Sequence, residues 1–280
     1  MLHAGAVPSF AVSIVALSVF QGVLVAVPAA HEIPVLARLR SGVWALIPLA
    51  ALLGFIVGSN ALAGLANGLT WLALLTVPPL ALAALGWAMR GARPWLAPLA
   101  ALLFALAWAD RGGLAGETAG VLLDGLSAVT LGVLLAAVAP PALVKLGIVA
   151  ASIADVVVIA TNTLQKPNSA LAGAAPPVHL PQLQLETFGR AILGYEDLFV
   201  AALLGALLAA RPRRALGAAA LVAALALCFD LLFFAVSNLP ATVPVAVALL
   251  VLEWRSLTAR RRSPTISAAN PPEEPAQWPT

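Results

Sequence analysis

Residues 118–138 (TAGVLLDGLSAVTLGVLLAAV) and 140–162 (PPALVKLGIVAASIADVVVIATN) are two apolar stretches separated only by Ala139. An α-helix needs about 20 mainly apolar residues to cross the hydrocarbon core of a bilayer, and both stretches have that length. Each also carries one aspartate, Asp124 or Asp155, well inside its apolar run. The two stretches therefore predict membrane-spanning helices that hold acidic side chains.

The rest of the chain has the same apolar character. Of its 280 residues, 62% are hydrophobic and 10% are charged, and the mean hydropathy is +1.01. A soluble domain carries about 25% charged residues, so the composition excludes a water-soluble enzyme and a disordered protein. The single cysteine, Cys228, cannot form an internal disulfide. We therefore predict an all-α, polytopic membrane protein.

Nine segments have the length and composition of transmembrane helices. They cover residues 7–28, 42–60, 66–89, 94–109, 118–138, 140–162, 190–210, 215–237 and 240–257. The chain then divides into an N-terminal five-helix region (1–138), a C-terminal four-helix region (139–262) with a long loop at 163–189, and a tail (263–280). The tail is polar and rich in proline, which predicts disorder.

The basic residues lie mostly on one side of these predicted spans. That side holds Arg38, Arg40, Arg90, Arg93, Arg211, Arg213, Arg214, Arg255, Arg260, Arg261 and Arg262, whereas the other holds only Arg111, Lys166 and Arg190. By the positive-inside rule, the N-terminus and the 163–189 loop lie outside and the C-terminus is cytoplasmic. Because arginine greatly outnumbers lysine, with heavy use of alanine and leucine, we expect a prokaryotic cell membrane.

Acidic side chains inside predicted spans are the strongest functional signal, because each costs at least a few kcal/mol in a membrane. They are Asp124, Asp155, Glu196, Asp197 and Asp230. Asp155 lies seven residues before the end of the sixth span, and Asp197 lies seven residues into the seventh. At 1.5 Å of rise per residue, both carboxyl groups are expected roughly 10 Å below the outer boundary, on consecutive antiparallel helices.

Two carboxyl groups that face each other in a low-dielectric site cannot both ionise, so one keeps a proton. The ionised group can then act as a general base on water while the neutral one polarises a peptide carbonyl. This is aspartic protease chemistry, which requires neither a metal nor a cofactor. The alternative is that each aspartate forms a helix–helix hydrogen bond or lines a polar cavity.

Short motifs surround these two aspartates. The sixth span contains Ala154-Asp155, the seventh contains Gly194-Tyr195-Glu196-Asp197, and the ninth opens Leu239-Pro240-Ala241-Thr242-Val243-Pro244. This order resembles the presenilin and signal peptide peptidase family of intramembrane aspartyl proteases. That family has nine spans, with Tyr-Asp in the sixth, Gly-x-Gly-Asp in the seventh and Pro-Ala-Leu at the start of the ninth. The resemblance covers mainly residues 140–257.

The resemblance implies a presenilin-like fold and a catalytic pair formed by Asp155 and Asp197. It also implies that Gly194, Pro240, Ala241 and Pro244 position the substrate, with Ala154, Tyr195, Glu196 and Asp230 as accessory residues. The substrates would be transmembrane helices of type II-like direction, reached through the lipid bilayer. Three positions depart from the family pattern: Ala154 replaces tyrosine, Glu196 replaces glycine and Thr242 replaces leucine. A catalytically inactive family member is therefore a second interpretation.

Asp124 and Asp230 support a rival hypothesis, because both are expected at the same level as Asp155 and Asp197. Four aspartates at one level could serve a proton- or cation-coupled transporter. For Asp124 and Asp230 themselves, we favour polar contacts between helices. The three histidines (His3, His31 and His179) have no metal-ligand spacing, so we expect no metal, and no nucleotide-binding motif is present. The arginines lie between apolar stretches, as in a membrane protein, so we expect no nucleic-acid partner. Assembly as a homo-oligomer stays open.

Overall fold

The computed structural model describes residues 8–31, 34–61, 64–163, 165–174, 176, 180–234, 236 and 238–262. In this part of the chain the fold is all-α, apart from one short antiparallel β-hairpin. The predicted tail at 263–280 lies outside the described residues.

The described helices follow one another along the chain. They are α1 (Phe10–Ala26), α2 (Pro34–Ala37), α3 (Ile47–Ala61), α4 (Leu65–Ala83), α5 (Leu99–Ala109), α6 (Leu114–Val138), α7 (Pro141–Ala160), α8 (Gln165–Gly173), α9 (Tyr195–Leu208), α10 (Pro212–Asp230) and α11 (Val243–Arg262). Strands β1 (Glu186–Phe188) and β2 (Ala191–Leu193) stand between α8 and α9. Each of the nine predicted spans overlaps one of the longer helices.

Four of the described helical segments are long and apolar enough to cross a membrane. They are Leu65–Ala88, which is α4 with a π-helical extension, Leu114–Val138 (α6), Pro141–Ala160 (α7) and Pro212–Phe234, which is α10 with a short 3-10 extension. Helices α1 and α5 are apolar but shorter. The fold is therefore all-α with four candidate membrane-spanning helices, and the count of nine spans stays a prediction.

The seventh predicted span begins differently from the prediction. Residues 191–193 form β2, which pairs with β1 so that Phe188 faces Ala191 and Glu186 faces Leu193. Gly189, the first residue of the two-residue connection, has φ of +60°, which suits a tight hairpin turn. Helix α9 consequently starts at Tyr195. The predicted 163–189 loop also contains regular structure, because α8 and β1 lie within it.

Helix α9 occupies the centre of the protein. All its residues from Asp197 to Gly205 are buried, and it packs between α6 and α1. A Cβ atom on Gly132 of α6 would lie 3.0 Å from the α9 backbone, and one on Gly205 would lie 2.5 Å from the Val25 carbonyl oxygen of α1. Small residues at these crossings let the helices approach closely.

Arg90 joins the C-terminal ends of α1 and α9. Its guanidinium group donates to the carbonyl oxygens of Ala26 (3.0 Å) and Ala209 (2.8 Å). The last carbonyl groups of a helix lack partners within the helix, and a cation beside them is favourable. This contact therefore holds α9 at the end opposite to Asp197.

Candidate active site

Asp155 lies in the last third of α7, with only 6% of its surface exposed. Its Oδ2 atom accepts a hydrogen bond of 2.7 Å from the hydroxyl group of Thr242. The carbonyl oxygen of Thr242 in turn accepts a bond of 3.1 Å from the hydroxyl group of Ser152, one turn earlier on α7. Two hydrogen bonds thus join α7 to the segment that precedes α11, and one of them orients the Asp155 carboxyl group.

Asp197 lies in the first turn of α9 and is 7% exposed. Its Oδ2 atom accepts a hydrogen bond of 3.0 Å from the backbone N–H of Gly194, the residue that caps the helix. A carboxyl group in the first turn is favourable, because it satisfies a free N–H and faces the positive end of the helix dipole. The local chain therefore fixes the Asp197 side chain against the start of its own helix.

The Asp155 and Asp197 carboxyl groups lie in the same region of the protein. The carboxyl groups of Asp155 and Glu196 are both near enough to interact electrostatically with that of Asp197. Proximity of the two aspartates was expected from their equal depth on consecutive helices. We expected Asp197 to lie seven residues into its helix. It is instead the third residue of α9, because residues 191–193 form β2.

The side chain of Gln21, on α1, links the start of α9 to the segment that precedes α11. Its side-chain amide donates to the carbonyl oxygens of Ala241 (2.8 Å) and Asp197 (3.3 Å), and the residue is 2% exposed. The residues near Thr242 are therefore held on one side by α7 and on the other by α1. Gln21 was not among the predicted site residues, although a buried amide in an apolar span is a recognisable signal.

The other predicted residues surround this arrangement. Pro240 and Pro244 are buried, Ala241 is half-buried beside the Gln21 amide, and Ala154 is half-buried next to Asp155. The Tyr195 hydroxyl group lies 2.8 Å from that of Ser127 on α6. The three segments that carry the resemblance therefore each supply a residue to this region: Asp155, Asp197 and Thr242.

Glu196 replaces the family glycine, and its side chain is exposed. Its carboxyl group folds back over Gly194, so that a Cβ atom on that glycine would lie 2.6 Å from Oε1. The backbone of Gly194 is extended, a conformation that any residue can adopt. A larger residue at this position is disfavoured only because its side chain would meet the Glu196 carboxyl group. Glu196 therefore adds a third carboxyl group to the edge of the site.

Two further acidic residues, Asp124 and Glu186, lie near Glu196 and Asp197. Asp124 was noted in the sequence, whereas Glu186 was not. Asp124 of α6 and Glu186 of β1 are each 1% exposed, and none of their four carboxyl oxygens has a hydrogen-bond partner in the described structure. Burial raises the pKa of Glu186 well above its usual value, and Asp124, Glu196 and Asp197 raise it further through like charge. Glu186 was overlooked because an acid in a predicted external loop has no distinguishing pattern.

Asp230 does not join the other acids. It is the last residue of α10, and its Oδ2 atom accepts a hydrogen bond of 2.7 Å from Ser18 of α1. Asp124, for which a polar contact between helices was also favoured, has no such contact among the described residues. The described residues contain no group of three or more histidine, cysteine, aspartate or glutamate side chains arranged to hold a metal ion.

No protein-family model, curated protein or solved structure matches this chain. Its function is therefore inferred from the chemistry and geometry of its own residues.

Proposed function

We propose that this protein is an intramembrane aspartyl protease that cleaves peptide bonds within transmembrane segments, with Asp155 and Asp197 as its catalytic pair. The observation that supports the proposal is that these two buried carboxyl groups, one on α7 and one on α9, are near enough to interact electrostatically. The Thr242 segment, which stands where the resembling family carries its third motif, contacts Asp155 directly.

The chemistry follows from placing two carboxyl groups in a site of low dielectric constant. One group keeps its proton because two adjacent negative charges are strongly unfavourable there. The ionised group takes a proton from water, which attacks the peptide carbonyl, while the neutral group donates a hydrogen bond to the carbonyl oxygen. The Thr242 hydroxyl and the Gly194 N–H each bind one carboxyl oxygen, which orients the pair before the substrate arrives.

A transmembrane substrate must unwind locally, because the carbonyl groups of a helix are occupied by its own hydrogen bonds. An extended segment is tolerated at membrane depth only inside protein or beside a wet cavity. The β1–β2 hairpin runs directly into α9, and in the described structure these two strands pair only with each other. Its edge could therefore pair with an extended substrate by strand addition.

The membrane arrangement is part of the same proposal. It comprises nine spans, an external N-terminus and a cytoplasmic C-terminus in a prokaryotic cell membrane. The four apolar helices of spanning length support it, as does the one-sided distribution of arginine. Substrates would reach the site sideways from the lipid bilayer.

The test is cleavage of a transmembrane reporter by the purified protein in detergent, comparing the parent with Asp155→Asn and Asp197→Asn. Asparagine can still accept the hydrogen bonds from Thr242 and Gly194, so the local structure is retained while acid–base chemistry is lost. We expect a loss of about 10²–10⁴-fold in activity for either variant. Asp230→Asn, which alters only the Ser18 contact, is the matched control and should cleave like the parent.

A proton- or cation-coupled transporter is the second candidate, favoured by the unpartnered carboxyl oxygens of Asp124 and Glu186. A transporter should lose function on substitution of several acids, whereas the protease should depend on Asp155 and Asp197 alone for chemistry. If the parent and Glu196→Gly both fail to cleave any reporter, the protease proposal is wrong. If only Glu196→Gly cleaves, the natural chain is an inactive relative.

A further inference from the structure

Four buried carboxyl oxygens without partners require an explanation. They belong to Asp124 and Glu186, both 1% exposed, on α6 and β1 respectively. Buried polar atoms are nearly always hydrogen-bonded, and an isolated buried carboxylate is far more costly than a buried neutral acid. In this position the neutral form of each side chain is strongly favoured.

The groups around Glu186 strengthen this preference. The ionisable groups that act on it are Asp124 of α6 and both Glu196 and Asp197 of α9. Tyr195 of α9 is close enough to interact with Asp124 and Glu186. Strand β2 and helix α1 have no ionisable side chain.

Two charged side chains lie near the hairpin turn without offsetting the acids. Glu117 of α6 accepts a hydrogen bond of 2.7 Å from the Gly189 N–H through Oε2. Arg190, the nearest cation along the chain, is an exposed residue. The environment of Glu186 is therefore acidic and buried.

We propose that Asp124 and Glu186 form a proton-binding site beside the Asp155–Asp197 pair, and that the proton on Glu186 holds β1 against α6. The site uses two side chains that the catalytic chemistry does not need. Its ligand is the proton itself, taken from the compartment that the hairpin faces.

The site bears on the proposed protease because of where β1 lies. Strand β1 pairs with β2, β2 leads into Gly194, and the Gly194 N–H binds the Asp197 carboxyl group. Release of β1 would therefore disturb the strand that precedes Asp197. Glu186 would thus act as a positioning residue for Asp197. This role rests on the proposed function, whereas proton binding by Glu186 does not.

The sign of the pH effect follows from linkage. The closed hairpin holds Glu186 protonated, because its pKa there is raised, while a solvated glutamate has a pKa of about 4.3. Opening therefore releases a proton above that pH. The opening equilibrium should rise by up to about tenfold per pH unit until the pKa of the closed state is reached. Closure is thus complete in acid and weakens as the pH rises.

Hydrogen exchange of the backbone amides of residues 186–193 measures this opening directly. The protection factor, which is already corrected for intrinsic exchange rates, is recorded between pH 5 and 8 in detergent without substrate. In the parent we expect it to fall with increasing pH, by up to about tenfold per unit. In Glu186→Gln it should be independent of pH, since glutamine resembles the protonated acid and cannot ionise.

A second Glu186 variant and a control variant complete the hydrogen-exchange test. If Glu186→Gln does not fold, Glu186→Leu removes the buried polar atoms and should be equally independent of pH. Asp230→Asn should retain the parental slope. A parental protection factor that does not change with pH, or an equal slope in the Glu186 variants, would overturn the proposal.

A bound sodium ion is the competing explanation for the unpartnered oxygens. It predicts that added NaCl, but not choline chloride, raises the hairpin protection factor at pH 8 with saturation, and that Asp124→Asn abolishes the effect. That result would replace the proton with a cation. Because no reporter is cleaved in these experiments, they fail or succeed independently of the proposed protease activity.

Discussion

The two pairs of buried acids in this protein differ in how they are held. Asp155 and Asp197 each accept a hydrogen bond, from Thr242 and Gly194 respectively. Asp124 and Glu186 are buried more completely and accept none in the described structure. A partnered carboxyl group can stay in place in either protonation state, whereas an unpartnered one depends on its proton. The difference separates a pair suited to acid–base chemistry from a pair suited to proton binding.

The largest expected effect is on reporter cleavage, which should respond differently to substitution of Asp155 and of Glu186. Asp155→Asn should lower reporter cleavage by about 10²–10⁴-fold throughout pH 5–8, because the chemistry itself is lost. Glu186→Gln should instead keep activity near the parental level at pH 5 and make its fall toward pH 8 smaller than in the parent. Reporter cleavage rates across the pH range measure both. If the two variants gave the same profile, the distinction between the pairs would fail.

The second prediction concerns the hydroxyl group that orients Asp155. Thr242→Val keeps the shape of the side chain but removes the hydrogen bond, and a bond to a charged group contributes about 1.5–3 kcal/mol. We expect kcat/KM to fall roughly tenfold or more, while Thr242→Ser retains most activity. Thr76→Val is the matched control, because the Thr76 hydroxyl group donates to the Leu72 carbonyl oxygen of its own helix. Equal losses in Thr242→Val and Thr242→Ser would argue against this role.

The third prediction concerns the amide that bridges the site. Gln21→Met removes the donor to Ala241 and Asp197 from a position that is 2% exposed. The free energy of unfolding should fall by about 1–3 kcal/mol, because two carbonyl groups lose a buried partner. Thermal unfolding in detergent measures the change. An unchanged stability would show that Gln21 does not hold the Thr242 segment in place.

The smallest expected effect concerns Glu196. Glu196→Gly removes a like charge that acts on Asp197 and clears the space over Gly194. We expect cleavage to rise by roughly threefold, which corresponds to about 0.7 kcal/mol. Loss of an acid from the first turn of α9 should also lower stability by about 0.3–1 kcal/mol. Glu196→Gln, which removes the charge and keeps the bulk, separates the two causes.

The sequence was sufficient to predict the all-α fold class, and it pointed to Asp155 and Asp197 as acids at one depth, whose carboxyl groups are near enough to interact electrostatically. Both depend on apolar length and on the depth of a polar residue within it, which can be counted along the chain. The hairpin could have been predicted as well, since Gly189-Arg190 between Phe188 and Ala191 is a two-residue connection with glycine in first position. The apolar residues of β2 were instead assigned to the following helix.

Glu186 and Gln21 show what the sequence could not provide. The acidic surroundings of Glu186 arise only when β1 packs against α6 and lies near the start of α9, and nothing local encodes that contact. Gln21 is visible as a polar residue in an apolar span, but its partners lie 176 and 220 residues away along the chain. Long-range contacts of this kind need the three-dimensional structure.

The most direct test of the proposed catalytic pair is the affinity for a transmembrane peptide whose scissile carbonyl is replaced by a hydroxyl-bearing mimic of the tetrahedral intermediate. We predict that it binds at least about 10²-fold more tightly than the unmodified peptide. Asp155→Asn and Asp197→Asn should lose this preference, whereas Asp230→Asn should keep it. Equal affinity of the parent for both peptides would contradict the assignment of Asp155 and Asp197 as the catalytic pair.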